Sequence, residues 1–161
     1  MRGYNTDQFA RFANFFPRID RFEYVCHIRH TGTVGEASTI KRLIWIGSSR
    51  KDLSSFPDEV KDVMGYALYQ AQLGLKAVSA KPLRGFGGAG VLEIVEDHQT
   101  DAYRAVYTVK FSELVYVLHA FRKKSRKGIA TPRPDIDLVK KRLKIAEEDY
   151  KLHRAIRGRD K

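Results

Sequence analysis

Residues Leu114 to Phe121 (LVYVLHAF) carry apolar side chains on both alternating sets of positions. Successive residues of a strand point to opposite sides, so this run predicts a central strand covered by protein on both faces. The rest of the chain must supply its neighbours and both covers. Val91–Glu96 and Ala102–Phe111 read as two further strands. The short connections Asp97–Asp101 and Ser112–Glu113 make the three an antiparallel meander. KRLIWIG (Lys41–Gly47) is a β-rich run and reads as the first strand.

Two helices are expected between that strand and the meander. Ser49 with Asp52 three residues on resembles a capping box, opening a short helix to about Phe56. Pro57 restarts a second helix, with Asp58 and Glu59 near its positive end. Val60, Val63, Met64, Ala67, Leu68, Ala71 and Leu75 recur at three- and four-residue steps as a core-facing stripe, and Gly74 marks the end. A last helix is predicted from about Asp135 to Ile156. Its stripe is Ile136, Val139, Leu143, Ala146 and Tyr150, and Lys140, Lys141, Arg142 and Lys144 mostly face out. The expected fold is α+β, in the order β-α-α-β-β-β-α. A helical hairpin and a C-terminal helix pack on a mostly antiparallel four-stranded sheet.

Gly85 to Gly90 literally matches G-x-G-x-x-G. A dinucleotide site needs a strand before the glycines and a helix after them, to receive the pyrophosphate. Here the order is reversed, so the glycines read as a flexible lead into the next strand. Lys81 and Arg84, just ahead of them, matter more.

The 161 residues carry a formal charge of +11, which makes phosphate the first partner to consider. Residues 1–40 hold five Arg, no Lys and four acids, a net +1; residues 41–161 hold 25 basic and 15 acidic residues, a net +10. Within the second part, FRKKSRK (Phe121–Lys127) has five basic residues and no acid. Such a run often forms a solvated loop, but here it directly follows the most apolar strand. One cysteine, Cys26, excludes an internal disulfide framework and a cysteine-rich zinc site. No run approaches the roughly 18 apolar residues of a membrane helix. A soluble cytoplasmic protein is expected.

Residues 1–40 show no steady period and read as a flexible N-terminal arm or as translated upstream sequence, ahead of a domain spanning 41–157. Phe9, Phe12, Phe15 and Phe16 are spaced like a helix face, and His30–Thr39 reads as linker. Val34 sits where a GUG start would place the initiating Met. A mitochondrial presequence also fits the Arg-rich, Lys-free composition. Cys26, His27 and His30 are too few ligands for a metal site, and no metal or cofactor is expected.

Alternation puts His119, Phe121 and Lys123 on one face of the strand's extension and Arg122 and Lys124 on the other. Arg104 shares a face with Ala102, Val106 and Thr108, so it needs a carboxylate, carbonyls or a phosphate. Glu93 and Glu96 are the carboxylates in reach. If Arg84, Arg104 and Lys123 or Lys124 converge at one edge of the sheet, they suit RNA backbone cleavage. A 2′-OH must lose a proton, the phosphorus must bear extra charge and the 5′ oxygen must be protonated. Guanidinium groups stabilise that charge, and a lysine among cations can move a proton. His119 is either a further acid/base or a satisfied core residue. Tyr107 and Tyr116 either stack a base or fill the core.

Five pieces carry a resemblance over residues 41–150. They are KRLIWIGSSRKDLSSFPDEVKDVMGYAL, KPLRGFG (Lys81–Gly87), AYRAVYTV (Ala102–Val109), VYVLHAFRKKS (Val115–Ser125) and TPRPDIDLVKKRL (Thr131–Leu143). In this order the chain resembles the RelE/HigB superfamily of type II toxins, in its phage-derived, host-inhibition branch. The resemblance implies a RelE-like fold and a metal-independent endoribonuclease that cuts translated mRNA on the ribosome. It also implies a helix-turn-helix antitoxin partner, with operator DNA engaged only through that antitoxin. Arg104, Lys123, Lys124 and Arg84 match positions where basic residues recur in the family. With His119 they form the expected catalytic set, and Lys81, Arg122, Arg126, Lys127 and Tyr107 the expected RNA-binding set. Relatives often have an arginine after the Leu-Glu of the second strand, where this chain has Ile94 and Val95. Two other functions remain open: a gyrase-poisoning toxin of the same superfamily, and a catalytically degenerate nucleic-acid-binding module.

Overall fold

A computed structural model gives the structure of residues 40–88, 90–124 and 130–157. The arm before Ile40, with its phenylalanines and the Cys26, His27 and His30 trio, lies outside the described residues, as do Arg126 and Lys127. The elements are β1 (Arg42–Trp45), α1 (Ser49–Ser54), α2 (Asp58–Gln72), β2 (Ala80–Pro82), β3 (Val91–His98), β4 (Asp101–Thr108), β5 (Leu114–Lys123) and α3 (Arg133–Arg157).

The α+β class holds, but the sheet has five strands in the order β1-β5-β4-β3-β2, not four. The added strand is β2, which pairs Ala80 with Ile94, Lys81 with Glu93 and Pro82 with Leu92. A proline is tolerated there because the outer side of an edge strand needs no ladder hydrogen bond. Three residues without a β-branched or aromatic side chain give no strand signal in the sequence. The sheet is mixed: β1 runs parallel to β5, and the other three pairings are antiparallel. A parallel pair requires a long crossover, and α1, α2 and the β2–β4 meander provide it.

As its composition demands, β5 is internal, buried from Leu114 to Ala120. β4 beside it is buried along all eight residues and stops at Thr108, three residues short of the expected end. On one face, Leu53, Val60, Met64, Leu68 and Ala71 of the first two helices, with Phe56 from the turn between them, pack on Ile94, Tyr107, Val115 and Val117. On the other, Ile136, Val139, Leu143, Ala146 and Tyr150 of α3 pack on Val106, Phe111, Leu114, Tyr116 and Leu118.

The helix boundaries have local causes. At the end of α2, Gly74 adopts φ +77°, its N–H meets Ala71 O and the Leu75 N–H meets Gln70 O. This is a Schellman motif, closed by the one residue type that enters the left-handed region without cost. Leu75 therefore lies beyond the helix and is exposed rather than part of its stripe. The expected capping box at α1 does not form. Ser48 is the N-cap residue and its hydroxyl meets Asp52 Oδ2 at 2.6 Å, while the Ser49 hydroxyl is buried and donates to Val117 O at 3.0 Å.

A β-bulge decides which residues of β5 face which helices. Tyr107 pairs with Val117 but Val106 pairs with His119, so Leu118 is the extra residue. Leu118 joins the core under α3 and His119 bonds to α3 as well, so two consecutive residues point the same way. Without the bulge, His119, Phe121 and Lys123 would face α1 and α2.

Candidate functional site

The expected site residues fall on a regular grid set by strand register. Rows across the α3 face run Lys81–Glu93–Val106–His119, then Val95–Arg104–Phe121, then Asp97–Ala102–Lys123. Arg104 and Lys123 are thus diagonal neighbours on adjacent strands, near the end of the sheet where α3 begins.

Arg104 is 4 % exposed, and its partner is a carboxylate of the protein. Its Nη1 lies 2.6 Å from Glu93 Oε2 and donates to Thr131 Oγ1 at 3.1 Å. The Thr131 hydroxyl donates in turn to Glu93 Oε2 at 3.0 Å. Of the partners open to Arg104, the structure selects Glu93 rather than Glu96, which points to the opposite face. Removing one member of such a buried pair strands a charge in a poor solvent. Arg104 therefore joins β3, β4 and the segment leading into α3.

His119 is tied down at both ring nitrogens. Nε2 lies 2.9 Å from Asp135 Oδ1 and Nδ1 lies 3.3 Å from Arg142 Nη1. A guanidinium only donates, so Nδ1 accepts and Nε2 carries the hydrogen that Asp135 receives. The ring stacks on Phe121 with centroids 4.9 Å apart. Arg142 is not one of the outward cations that the helix pattern suggests. It donates to Leu118 O at 2.9 Å and Ser48 Oγ at 2.8 Å. Its guanidinium also packs on Gly47, where an added Cβ would approach it to 3.1 Å. The run KKRLK gives no sign of this, because its four cations look alike until the helix is docked.

The remaining cations divide into two groups. At the end of β5, Arg122 is 53 % exposed and pairs with Asp101 at 2.6 Å. Lys123 is half-buried and donates to Ala130 O at 3.4 Å, and Lys124 is exposed. Arg84 and Lys81 are also exposed, but they belong to the β2 side. The Leu83 N–H meets Val91 O, which places Arg84 beyond the start of β3, whereas Lys123 is level with Asp97. Six residues of strand correspond to about 20 Å. The expected convergence therefore brings Arg104, Lys123 and His119 onto one face, leaves Lys124 beside them, and separates Arg84. Tyr107 is fully buried in the core under α2, with no surface on which to stack a base. Ile94 is buried in the same core, so its position has no route to a phosphate on the α3 face.

Beside the cationic end of β5 lies a groove of about 420 Å³. It is walled by Asp52, Ser55 and Phe56 from the end of α1, Tyr103 from β4, and His119 to Arg122 of β5. Phe56 and Tyr103 meet edge to face at 4.9 Å. The α1 side of this groove has no signature in the sequence, since Asp52 and Ser55 read as ordinary helix-end residues. Among the described residues, no three His, Cys, Asp or Glu side chains are grouped to hold a metal.

Burial sets the titration of three further groups of the sheet. It pushes the Tyr107 hydroxyl up to about 12, and it raises Tyr116 still further, assisted by the hydrogen bond to Asp149. Burial also raises Glu96, reinforced by the charge of Asp97.

A family model described as phage derived protein Gp49-like matches residues 51–144, from α1 through the first half of α3. That span contains the groove, the Arg104 and His119 networks and the cationic end of β5. No curated protein and no solved structure gives a significant match.

Proposed function

From the premise that the chain belongs to the Gp49-like family of phage-derived proteins, a RelE/HigB-like toxin-type family, we propose that it is the toxin of a type II toxin–antitoxin pair, of the host-inhibition branch, and cleaves mRNA on the ribosome. The observation that carries this reading is the cationic end of β5. Arg122, Lys123 and Lys124 leave the core together beside an aromatic groove, within the span that the family model covers. Phosphate contacts made by such cations supply sequence-independent affinity for RNA and make it salt-sensitive.

In this mechanism Lys123 and Lys124, successive residues that leave β5 toward different sides, hold the RNA backbone about the scissile phosphate. The 2′-OH loses its proton to water as its oxygen attacks phosphorus, the P–O5′ bond breaks and the 5′ oxygen leaves with a proton, and a 2′,3′-cyclic phosphate results, with no metal required. Lysine ammonium groups stabilise the added negative charge and can donate the leaving proton. Arg104 is a positioning residue: it holds Thr131 and, through it, the segment that lies over Lys123. His119 is likewise a positioning residue, holding Asp135 at the start of α3. No described helix is long and apolar enough to cross a membrane, and the site of action in this reading is the cytoplasm. The inhibitor would be a helix-turn-helix antitoxin that also binds the operator.

Induced expression of the chain and of its Lys123→Ala/Lys124→Ala variant tests the reading. Growth arrest with shortened, translated transcripts is expected for the parent, and neither for a variant that remains folded. Arrest with intact mRNA and an SOS response would instead identify a gyrase poison. Arrest that survives the double substitution removes these lysines from the mechanism.

A further inference from the structure

We propose that the side of α3 turned toward β1 docks an amphipathic helix of a protein partner, and that the flank of this helix is acidic. Tyr150 is the last residue of α3 in the core and meets the Phe111 ring at 4.5 Å, but the helix continues to Arg157. Ile145, Leu152 and Ile156 are 45 %, 66 % and 63 % exposed. Ile145 and Leu152 stand seven residues apart, and Leu138, half-buried, lies seven before Ile145. Such spacing makes a seam between paired helices. It is separate from the core stripe, which is formed by Val139, Leu143, Ala146 and Tyr150.

Bonds made by neighbouring residues fix where the seam lies. Arg142 reaches Ser48 Oγ at 2.8 Å, just past β1, and Asp149 accepts from the Tyr116 hydroxyl at 2.7 Å. Tyr116 is in turn the β5 partner of Ile44. Arg142 and Asp149 bracket Ile145 at three and four residues, so the three share one side of the helix. That side leans toward β1, the outermost strand of the sheet. α3 itself sits over β5, which leaves Arg42 of β1 exposed and Ile44 half-buried. The result is a trough with α3 as its wall and β1 as its floor. Ile44, Ile145, Leu152 and Ile156 all fall outside residues 51–144, the span of the family match.

Charge selects the occupant. Lys144 and Lys151, each one residue before a seam position, line the outer flank. Both are exposed, and neither has an ion pair among the described residues. The inner flank is already engaged, because Arg142 and Asp149 bond within the protein. A second copy of the chain therefore fits poorly. Antiparallel α3 helices would set Lys144 and Lys151 against the same lysines, and parallel ones would set them against Arg142 and Asp149. Flanking charges decide partner choice in paired helices, and like charges brought together exclude the wrong one. A foreign helix with Glu or Asp on its flank meets neither obstacle. Glu148, exposed between the two seam residues, adds one polar position, which in paired helices fixes register. Docking of this kind takes its affinity from apolar anchors one and two turns apart. The surface does not depend on any nuclease activity.

The test titrates the purified full chain with three helix-stapled fluorescent peptides, each of three heptads. The first has Leu at the seam and Glu on both flanks. The second has Leu at the seam and Lys on both flanks, and the third has Ser at the seam and Glu on both flanks. The first is expected to bind at least tenfold more tightly than either other. Leu152→Ser, at an exposed position, should weaken that binding at least tenfold. Lys144→Glu combined with Lys151→Glu should invert the preference, so that the Lys-flanked peptide binds more tightly. Unchanged affinity in Leu152→Ser, no inversion by the charge reversal, or failure of all three peptides would each overturn the proposal. A dimer of the chain that sedimentation detects and Leu152→Ser dissolves, with no peptide bound, would assign the seam to a second copy. Charge reversal that weakens binding of a uridine decamer, again with no peptide bound, would assign the lysines to RNA. Either result also overturns the proposal.

Discussion

The sheet face under α1 and α2 and the face under α3 are both buried, but different forces hold them. Under α1 and α2 the contacts are almost wholly apolar, with Leu53, Met64, Leu68, Ile94 and Val115 all essentially inaccessible. Under α3, apolar packing around Val139 and Ala146 occupies the middle, and both ends are polar. Glu93, Arg104 and Thr131 close one end, with His119, Asp135 and Arg142 beside them. At the other, Tyr116 donates to Asp149 and Lys110 pairs with Glu147. Apolar contact is non-directional and tolerates small shifts. Hydrogen-bonded ion pairs hold only in one register. The α3 face is built for position, and that face carries Lys123 and the lead-in to α3.

The contrast can be broken by substitution. Arg104→Ala leaves Glu93 buried without its partner and is expected to cost about 3–5 kcal/mol, measured by urea unfolding. Arg104→Met combined with Glu93→Met should recover most of that loss. If it does not, the triad contributes more than the avoidance of a stranded charge. Because of this cost, lost toxicity in Arg104→Ala reports on folding before it reports on chemistry.

On the apolar face, Met64→Ala should cost roughly 2–5 kcal/mol through lost burial and a residual cavity. That loss should be insensitive to salt. A Met64→Ala penalty that varied with ionic strength would blur the distinction between the two faces.

Glu96→Gln is expected to raise the thermal midpoint slightly at neutral pH. The folded state holds the Glu96 proton more tightly than the unfolded chain does, so ionisation of Glu96 opposes folding as pH rises above its ordinary value. The gain should disappear in acid, below the ordinary carboxyl range. An equal gain at both pH values would point to a cause other than ionisation.

The smallest effect at neutral pH is expected for Tyr107→Phe. The Tyr107 hydroxyl is buried with no hydrogen-bond partner among the described residues, so removing it should be neutral or mildly stabilising. Its alkaline behaviour differs. The hydroxyl ionises near 12 in the folded protein and near 10 when unfolded, so stability is full below about pH 10 and declines between the two. Stability curves of parent and variant should separate only in that window. A hydroxyl titrating near 10 in the folded protein would show that the core under α2 admits water.

Much of the architecture is legible along the chain because it depends on local period. The two-sided apolarity of β5 made it internal. The stripes of α2 and α3 named their buried residues almost completely. Leu75 dropped out because Gly74 had already ended the helix, and Val63 is only half-buried and lies outside the core cluster. β2 was illegible: Ala80, Lys81 and Pro82 become a strand only when β3 offers an edge. The site was legible as a list of cations but not as a geometry. Arg142 looked like its neighbours Lys140, Lys141 and Lys144, and its inward role depends on where α3 settles against Leu118 and Ser48.

The sequence alone determined that a strand covered on both faces ends in a run of cations, since burial and charge are properties of the residues and their order. Only the tertiary structure decided which face those cations share. One extra residue at Leu118 turned His119, Phe121 and Lys123 toward α3. Strand register then paired Arg104 with Glu93 and left Arg84 far along the sheet. Such choices depend on contacts between residues distant in the chain, and a local pattern cannot encode a register that exists only once the strands have met.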